Sequence, residues 1–285
     1  MFCLYFNFNW IPASEFVVAL FAQFLSRSFH SFDSIQNYIS GIKLLHIMLN
    51  QNCLAFDNMN LKLALRGMKR TIGHVSKQAL PITVDMLIQM YSLLDMSEVN
   101  HVVFWSIFTF AFFTMSRKSN LVITNCKQPT KCIRRRDVLM GNNMLLVLFT
   151  WSKTNQYGGR VHQVPLVRIK GSPLCPVLAY QRMCRILPLK SDAPAFCIVK
   201  RGAIKPVLYY DLHCFLRLLL DKLGYDSSLY SSHSFRRGAA TFAFVKGVRP
   251  SLIQAIGDWS SDAYKNYVHL DLQDKFAAIN VMSRV

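Results

Sequence analysis

Hydrophobic and polar residues alternate along most of the chain with the period of an α-helix. In the first 75 residues this pattern predicts three helices, which begin at Ser14, at Ser34 and at Leu61. Ser14 precedes Glu15 and an apolar stripe, as is typical of an N-cap, and the third helix is expected to end near Arg70. The N-terminal part of the chain is therefore predicted to be helical.

The helical pattern is interrupted between Gly73 and Pro81. The segment GHVSKQALP is polar and is bounded by Gly and Pro, which favours a connection between two domains. We therefore expect a helical domain at residues 1–75, a linker at 76–82 and a second domain at 83–285.

The second domain begins with helices and then changes to the period of β-strands. A helix is expected to start near Thr83, and the apolar run at 102–115 predicts a buried helix that is too short to cross a bilayer. Three short strands are expected at 133–139, 144–151 and 160–167, with turns at 140–143 and 154–159. Further helices are expected at 175–186, 211–223, 235–246, 250–256 and 261–269. The predicted fold class is mainly α with a small three-stranded antiparallel sheet.

The composition adds a strong excess of positive charge. Hydrophobic residues make up 52% of a chain that carries 33 Lys and Arg against 15 Asp and Glu, a net charge of +18. The excess is spread over the whole length, which favours a polyanionic partner and nucleic acid above all. In the third helix a basic stripe, which could follow a phosphate backbone, consists of Lys62, Arg66, Lys69 and Arg70. A solvated helix face explains the stripe equally well.

The cysteines favour a reducing compartment. The chain has eight, with irregular spacing, without a CxxC pair and without a His/Cys cluster at zinc-ligand spacing. We therefore expect free thiols, no metal and no cofactor. The N-terminus MFCLYFNFNW lacks the basic region of a signal peptide, so a nuclear or cytoplasmic protein is expected.

Six residues in short, separated motifs match the needs of phosphodiester chemistry. In chain order they are Arg117, Lys153, His233, Arg236, Trp259 and Tyr267. Cleavage of a phosphodiester needs a nucleophile, stabilisation of charge on the non-bridging oxygens and a proton for the leaving oxygen. Because no metal ligands are apparent, all three would come from side chains.

The residue types suggest a role for each of these side chains. Arg117 and Arg236 can clamp the phosphate, because guanidinium N–H groups match phosphate oxygens in pairs. Lys153, expected at a hairpin turn, could protonate the departing 5′-oxygen, and His233 could accept the nucleophile's proton or hold the phosphate. Tyr267 would attack and conserve the bond energy in a phosphotyrosyl link. Each motif alone is commonplace, so the interpretation depends on their combined order.

This order resembles the tyrosine recombinase, or phage-integrase, family, and more narrowly the recombinases of eukaryotic Crypton- and DIRS-like mobile elements. SRKSNLV is similar to the first arginine box of the family, WSKT to its hairpin lysine and SHSFRRGAATFAFVKGV to its HxxR helix. GDWSSDAYKNYVHL is similar to the His/Trp box followed by the nucleophile. The family places the nucleophile eight or nine residues after the His/Trp. That spacing selects Tyr267, eight residues after Trp259, over Tyr264, which is five residues after it.

The resemblance implies a DNA recombinase or integrase that cuts and rejoins duplex DNA through a 3′-phosphotyrosyl intermediate. It implies that residues 1–75 form a SAM-like core-binding domain, that 83–285 form the catalytic domain, and that the two clamp the DNA. Arg237, next to Arg236, is expected among the DNA contacts. Family enzymes act as tetramers on paired DNA sites and usually donate a C-terminal helix to a neighbour, for which 276–285 is a candidate.

Two departures from the family pattern leave alternatives open. The family usually has Glu or Asp three residues after the first arginine, where this chain has Asn120, and the N-terminal domain looks short. A catalytically silent, domesticated DNA-binding protein of the same fold is therefore one alternative. A type IB topoisomerase is another, and the HxxR pair of His233 and Arg236 argues against it.

Overall fold

The computed structural model describes residues 1–73, 78–124, 131–152, 155, 159–270, 272–274 and 279. The chain divides into two compact units, Met1–Lys77 and Gln78–Val285, and each has a hydrophobic core of its own. The second unit begins inside the segment predicted as a linker. The buried residue Ile82 donates its N–H to the carbonyl of Ser234 at 3.0 Å, so the chain is already part of the second unit there.

The first unit is helical, as the sequence predicted. Its helices in the described residues are α1 (Phe2–Tyr5), α2 (Glu15–Ser26), α3 (Phe32–Met48), α4 (Leu54–Asp57) and α5 (Met59–Ile72). Ser14 caps α2, because its hydroxyl oxygen accepts a hydrogen bond from the N–H of Val17 at 3.3 Å. The core of this unit includes Val18, Ala22, Ile35 and Leu61. The short helix α1 was missed by the sequence analysis.

Helix α5 separates an apolar face from a basic face. Leu61 and Met68 are buried in the core of the first unit. The four basic side chains of the predicted stripe are all exposed: Lys62, Arg66, Lys69 and Arg70. Residues spaced by four and seven positions share one side of a helix, so these cations form one continuous surface.

The second unit is built around one buried helix. In the described part of the chain its helices include α6 (Val84–Ser92), α7 (Val99–Phe113), α8 (Lys118–Leu121), α9 (Pro176–Ile186), α10 (Tyr209–Lys222), α11 (Ser232–Val245) and α12 (Pro250–Ile256). Every residue of α7 from Val102 to Phe112 is buried, as expected from the apolar run, and α7 packs against α9 and α11. Among the described residues, no helix combines the length and apolar character needed to cross a membrane.

A small antiparallel sheet lies on this helical unit. Strands β1 (Val138–Met140), β2 (Met144–Phe149) and β3 (His162–Val167) pair in the order β1-β2-β3, with Val147 opposite both Val138 and Val164. Inward-facing residues such as Leu145, Val147 and Phe149 join the main core. The fold class is therefore mainly α with a three-stranded antiparallel sheet, which confirms the prediction.

The second unit also departs from the sequence prediction in its strands and in its last helix. The strand expected at 133–139 is mostly a 3₁₀ turn at Arg135–Asp137, because the Asp137 carboxylate accepts from the N–H of Arg134 at 2.7 Å and closes that turn. The helix expected at 261–269 is a shorter 3₁₀ turn, Asp262–Asn266. A second hairpin, which the sequence analysis missed, pairs β4 (Cys197–Lys200) with β5 (Ala203–Pro206).

Candidate active site

The first arginine is delivered by the chain reversal at the end of α7. Met115 has a positive φ of 49°, and the chain then leads through Ser116 to Arg117, the N-cap residue of α8. The carbonyl of Met115 accepts a hydrogen bond from Nη1 of Arg236 on α11. The same reversal therefore places Arg117 and anchors the second arginine, although the two lie 119 positions apart in the chain.

The N-terminus of α11 carries the HxxR pair. The Ser231 hydroxyl caps the helix by accepting from the N–H of His233 at 3.2 Å. At Gly238 a Cβ atom would lie 1.8 Å from the carbonyl oxygen of Ile82, so glycine allows α11 to pack directly on that backbone. Arg236 is buried in the interior, whereas His233, at the start of the helix, keeps part of its surface exposed.

The pKa of His233 lies below the ordinary value of 6.5. Desolvation of the ring by neighbouring atoms is the largest cause, followed by the positive charges of Lys118, Arg236, Arg117 and Arg237. The neutral imidazole is therefore favoured at pH 7, and a neutral imidazole can accept a proton.

Arg236 is a buried cation with unused hydrogen-bond donors. It exposes only 1% of its surface, and its Nε and Nη2 groups have no hydrogen-bond partner among the described residues. Burial, followed by the charge of Arg117, lowers the pKa of Arg236 below the ordinary 12.5. A desolvated guanidinium beside a second cation is costly, and an anion that accepts from its N–H groups would relieve that cost.

Two aromatic rings hold the plane of this guanidinium. Its carbon lies 3.7 Å from the centroid of the Trp259 ring and 5.2 Å from that of the Tyr267 ring. The two rings lie 5.2 Å apart and are tilted by 58°. The second arginine, the tryptophan and the predicted nucleophile thus form one contiguous group.

Local backbone geometry explains how Trp259 and Tyr267 reach Arg236. A Cβ atom at Gly257 would lie 1.8 Å from the Trp259 ring, so the ring folds back over this glycine after α12 ends. The 3₁₀ turn at Asp262–Asn266 then ends at Tyr267, whose carbonyl accepts from the Thr241 hydroxyl at 3.4 Å. Tyr264, in the same turn, exposes only 6% of its surface and packs into the core.

A small pocket in front of Arg236 collects further polar groups. Among the described residues it is lined by Thr114, Ser116, Arg117, Asn120, Phe149, His162, Arg236, Ile256, Gly257 and Asp258. Asn120 is buried, and its carbonyl side-chain oxygen lies 3.4 Å from the Ser119 hydroxyl, which donates to it. Arg117 and Arg236 share this pocket with a single carboxylate, that of Asp258, among these residues.

The predicted lysine, Lys153, lies outside the described residues, so its side chain is not placed. Ser152, directly before it, and Asn155, two positions after it, are described. Ser152 and Asn155 form an isolated antiparallel bridge, and the side chain of Asn155 donates to the carbonyls of Thr150 and Arg160. These contacts define the base of the hairpin turn between β2 and β3. Residues 276–278 and 280–285 of the candidate C-terminal tail are also outside the described residues.

The remaining predicted DNA contacts lie at the surface of their own units. Arg237, half-buried on α11, donates to the side-chain oxygen of Gln78 and, at 2.9 Å, to the carbonyl of Asn266. It therefore supports the turn that leads to Tyr267.

The sequence analysis assigned no role to Asp258, Ser152 or Arg160, which the structure brings together at the edge of the pocket.

Solved structures of DNA recombinases share this fold. A post-cleavage complex of the XerH site-specific recombinase with a palindromic difH substrate aligns with a TM-score of 0.63 at 16% identity, covering 95% of this chain and 73% of that chain. In a pre-cleavage XerH complex, 66% of that chain is covered. Structures of the Tn1549 transposon integrase align with a TM-score of 0.59 in two complexes. With circular intermediate DNA the identity is 15% and the coverage is 94% of this chain and 85% of that chain. With transposon right end DNA the identity is 13% and the coverage is 96% and 87%.

No family model matches the chain, and no curated protein matches it. The likeness to the solved recombinases is therefore one of fold. The chain has the fold of the tyrosine recombinases, as the motifs predicted.

Proposed function

We propose that this protein is a tyrosine-type DNA recombinase or integrase, which cuts and rejoins duplex DNA through a 3′-phosphotyrosyl intermediate. The observation that carries the proposal is the buried Arg236 guanidinium, with two N–H groups unpartnered in the described residues and with Tyr267 against its face. A fixed, desolvated cation next to a phenol is suited to a phosphate that the phenol attacks. The recombinase fold and the net charge of +18 support the same function.

The chemical step assigns one role to each side chain. The Tyr267 oxygen attacks phosphorus, and the bond from phosphorus to the 5′-oxygen breaks. His233, whose lowered pKa favours the neutral ring, accepts the phenol proton, and Lys153 gives a proton to the 5′-oxygen. Arg117 and Arg236 stabilise the charge on the non-bridging oxygens. Attack by a second 5′-hydroxyl on the phosphotyrosyl bond reverses these transfers and joins the strand without an external energy source.

Burial supports Tyr267 over Tyr264 as the nucleophile. Tyr264 packs in the core at 6% exposure, whereas Tyr267 is half-buried and its ring centroid lies 5.2 Å from the guanidinium carbon of Arg236. A nucleophile must reach a bulky DNA phosphate, and a core tyrosine cannot do so without unpacking.

The proposal also covers the domain roles, the assembly, the location and the origin of the protein. The first unit would be the core-binding domain and the second the catalytic domain, and the enzyme would act as a tetramer on paired sites in nuclear DNA. The exposed basic surface of α5 supports a DNA contact in the first unit. The motif resemblance supports an origin in a Crypton- or DIRS-like mobile element.

Covalent trapping tests the function. A suicide substrate with a nick near the cleavage site loses the short strand after attack, so the protein stays attached to the DNA. We expect an adduct from the unaltered protein and from Tyr264→Phe, provided the latter folds, and none from Tyr267→Phe. An adduct that survives Tyr267→Phe, or the absence of any adduct from the unaltered protein, would contradict the proposal.

A silent DNA-binding protein of the same fold is the second candidate, and one observation favours it. Asn120 is buried in the pocket of the two arginines, where the resemblance implies a carboxylate. Binding of DNA without adduct formation would support this candidate. Adduct formation that appears with Asn120→Glu would locate the defect at this position.

A further inference from the structure

Asp258 connects the base of the β2–β3 hairpin to the turn that carries Trp259. Its Oδ2 atom accepts a hydrogen bond from the Ser152 hydroxyl at 2.7 Å, and its Oδ1 atom is paired with the Arg160 guanidinium. Ser152 and Arg160 flank the hairpin turn on its two sides. One carboxylate therefore holds both ends of that turn.

The backbone at Asp258 is shaped for this contact. Asp258 has a positive φ of 53°, a conformation that non-glycine residues seldom adopt but that Asp tolerates better than most. The turn directs the carboxylate toward the hairpin while the next residue, Trp259, covers Arg236. A second link runs in parallel, since Nε2 of His162 on β3 donates to the carbonyl of Ile256 at 3.0 Å.

Burial makes the hydrogen bonds of the Asp258 carboxylate important for stability. The side chain of Asp258 is 6% exposed, whereas that of Arg160 is 58% exposed. A buried carboxylate depends on its hydrogen bonds, because water does not readily replace a partner that is lost. An exposed arginine has no such need. We therefore expect the buried Asp258 carboxylate to constrain the position of the hairpin base, and not the reverse.

The next residue after Ser152 in the chain is Lys153, the proposed general acid. Because Ser152 directly precedes Lys153, a contact that holds Ser152 in place also restricts where the backbone enters Lys153. Trp259, covalently next to Asp258, fixes the plane of Arg236 by the 3.7 Å stack. Asp258 thus lies between the part of the chain that would protonate the leaving oxygen and the part that would hold the phosphate.

We propose that Asp258 is a positioning residue for strand cleavage, which fixes the hairpin base next to Lys153 relative to the Arg236–Trp259 stack. This inference rests on the proposed function. A misplacement of about 1 Å in a reacting group costs about 10²-fold in rate, so a loosened hairpin base slows the step that needs the lysine proton.

Leaving-group chemistry separates this role from a general structural one. Two suicide substrates are compared, one with the natural 5′-bridging oxygen at the scissile phosphate and one with a bridging sulfur. A thiolate departs without a proton from a general acid, whereas an alkoxide does not. Asp258→Asn keeps the shape of the side chain and an oxygen for Ser152 but removes the charge that pairs with Arg160.

We expect Asp258→Asn to slow adduct formation on the oxygen substrate by about 10- to 100-fold and to recover most of that loss on the sulfur substrate. Lys153→Ala serves as the reference for this pattern, and Tyr267→Phe should be inactive on both substrates. Ser152→Ala and Arg160→Gln, which each remove one contact of the carboxylate, should show the same pattern more weakly. Asp221→Asn, the same charge change at an exposed position of α10, is the matched control and should react like the unaltered protein.

Hydrogen exchange in the DNA-free protein supplies a readout that does not depend on activity. Faster exchange in 144–152, 159–167 and 256–259 of Asp258→Asn, with the rest of the second unit unchanged, supports the mechanical link. Unchanged exchange there overturns it. An equal rate loss on the oxygen and sulfur substrates overturns the positioning role. If the unaltered protein forms no adduct on either substrate, the proposed function itself fails, and the assignment to Asp258 fails with it.

Discussion

The guanidinium carbon of Arg236 lies 3.7 Å from the centroid of the Trp259 ring, and Arg236 exposes only 1% of its surface. A cation–π contact in such a desolvated position is worth about 2 kcal/mol or more. The stack fixes the plane of the guanidinium, and with it the direction in which the unpartnered Nε and Nη2 groups donate. The tryptophan therefore acts as a support for the arginine, whose two remaining donor groups can bind an anion.

Replacing Arg236 by lysine should disable cleavage although the charge is kept. Lysine is not planar, cannot stack on Trp259 in the same way and cannot donate two parallel hydrogen bonds. Since loss of one such donor typically costs about 10²–10³-fold, we expect adduct formation with Arg236→Lys to fall by at least about that factor. The rate of trapping on a suicide substrate measures it.

Binding of the same DNA provides the control for Arg236→Lys. Affinity measured at one salt concentration should change far less than the cleavage rate, because most phosphate contacts remain. A cleavage rate close to that of the unaltered protein would contradict the assigned role.

Gly257 should tolerate no side chain while Trp259 is present. A Cβ atom there would lie 1.8 Å from the Trp259 ring, so Gly257→Ala displaces the ring and should lower the free energy of unfolding by about 1–3 kcal/mol. The φ of Gly257 is −81°, so a steric clash and not backbone strain is the cause. Urea denaturation measures the change.

The two positions should also be coupled. In a Trp259→Ala background the added methyl group meets no ring, and Gly257→Ala should then cost little, which a double-mutant cycle detects. Gly159→Ala is the matched control, because a Cβ atom at Gly159 meets no atom of the described residues within 4 Å. Additive effects of the two substitutions would show that the ring is not what excludes the side chain.

Local patterns predicted much of the fold because the determinants are local. Ser14 caps α2 through a residue three positions away, and the continuous apolar run of α7 predicted its complete burial. The hairpin between β4 and β5 was missed, although its turn has a recognisable signal. Arg201 and Gly202 both have positive φ, as in a tight two-residue hairpin loop, and Gly at the second position is typical of it.

In the candidate site, the sequence predicted those side chains that lie within recognisable short motifs, and no others. The motifs supplied Arg236, Trp259 and Tyr267, which the structure brings into contact. The contact between Asp258 and Ser152 spans 106 positions and depends on how α12 meets the hairpin. No periodicity or spacing encodes such a pair, so its role emerges only from the packed structure.

The imidazole of His233 should titrate below pH 6.5 in the free protein. Desolvation and the neighbouring charges of Lys118, Arg236 and Arg117 all disfavour the imidazolium form. The unfolded chain then binds this proton more tightly than the folded one. The contribution of His233 to stability is therefore present above the unfolded pKa of about 6.5 and is lost as pH falls through the folded pKa.

An NMR pH titration of the ring protons measures the pKa of His233 directly, with His233→Gln to assign the signal. Addition of DNA should raise the pKa, because a phosphate in the site offsets the surrounding positive charge. A midpoint at or above 6.5 in the free protein would show that desolvation and the neighbouring cations do not control this titration. A midpoint unmoved by DNA would separate His233 from the phosphate site.

The basic face of α5 should contribute to DNA binding in a salt-dependent way. Lys62, Arg66, Lys69 and Arg70 are all exposed on one side of the helix. Each phosphate contact contributes about 0.9 to the slope of log affinity against log salt concentration, so glutamine at all four positions should reduce that slope by up to roughly four times this amount. Fluorescence anisotropy with a labelled duplex at several salt concentrations gives the slope.

Lys43→Gln is the matched control for the fourfold variant. Lys43 is already paired with Asp57 at 2.8 Å in the same unit, so this substitution should change the slope much less. An unchanged slope in the fourfold variant would mean that α5 presents a solvated face, and the DNA contact of the first unit would then have to lie elsewhere.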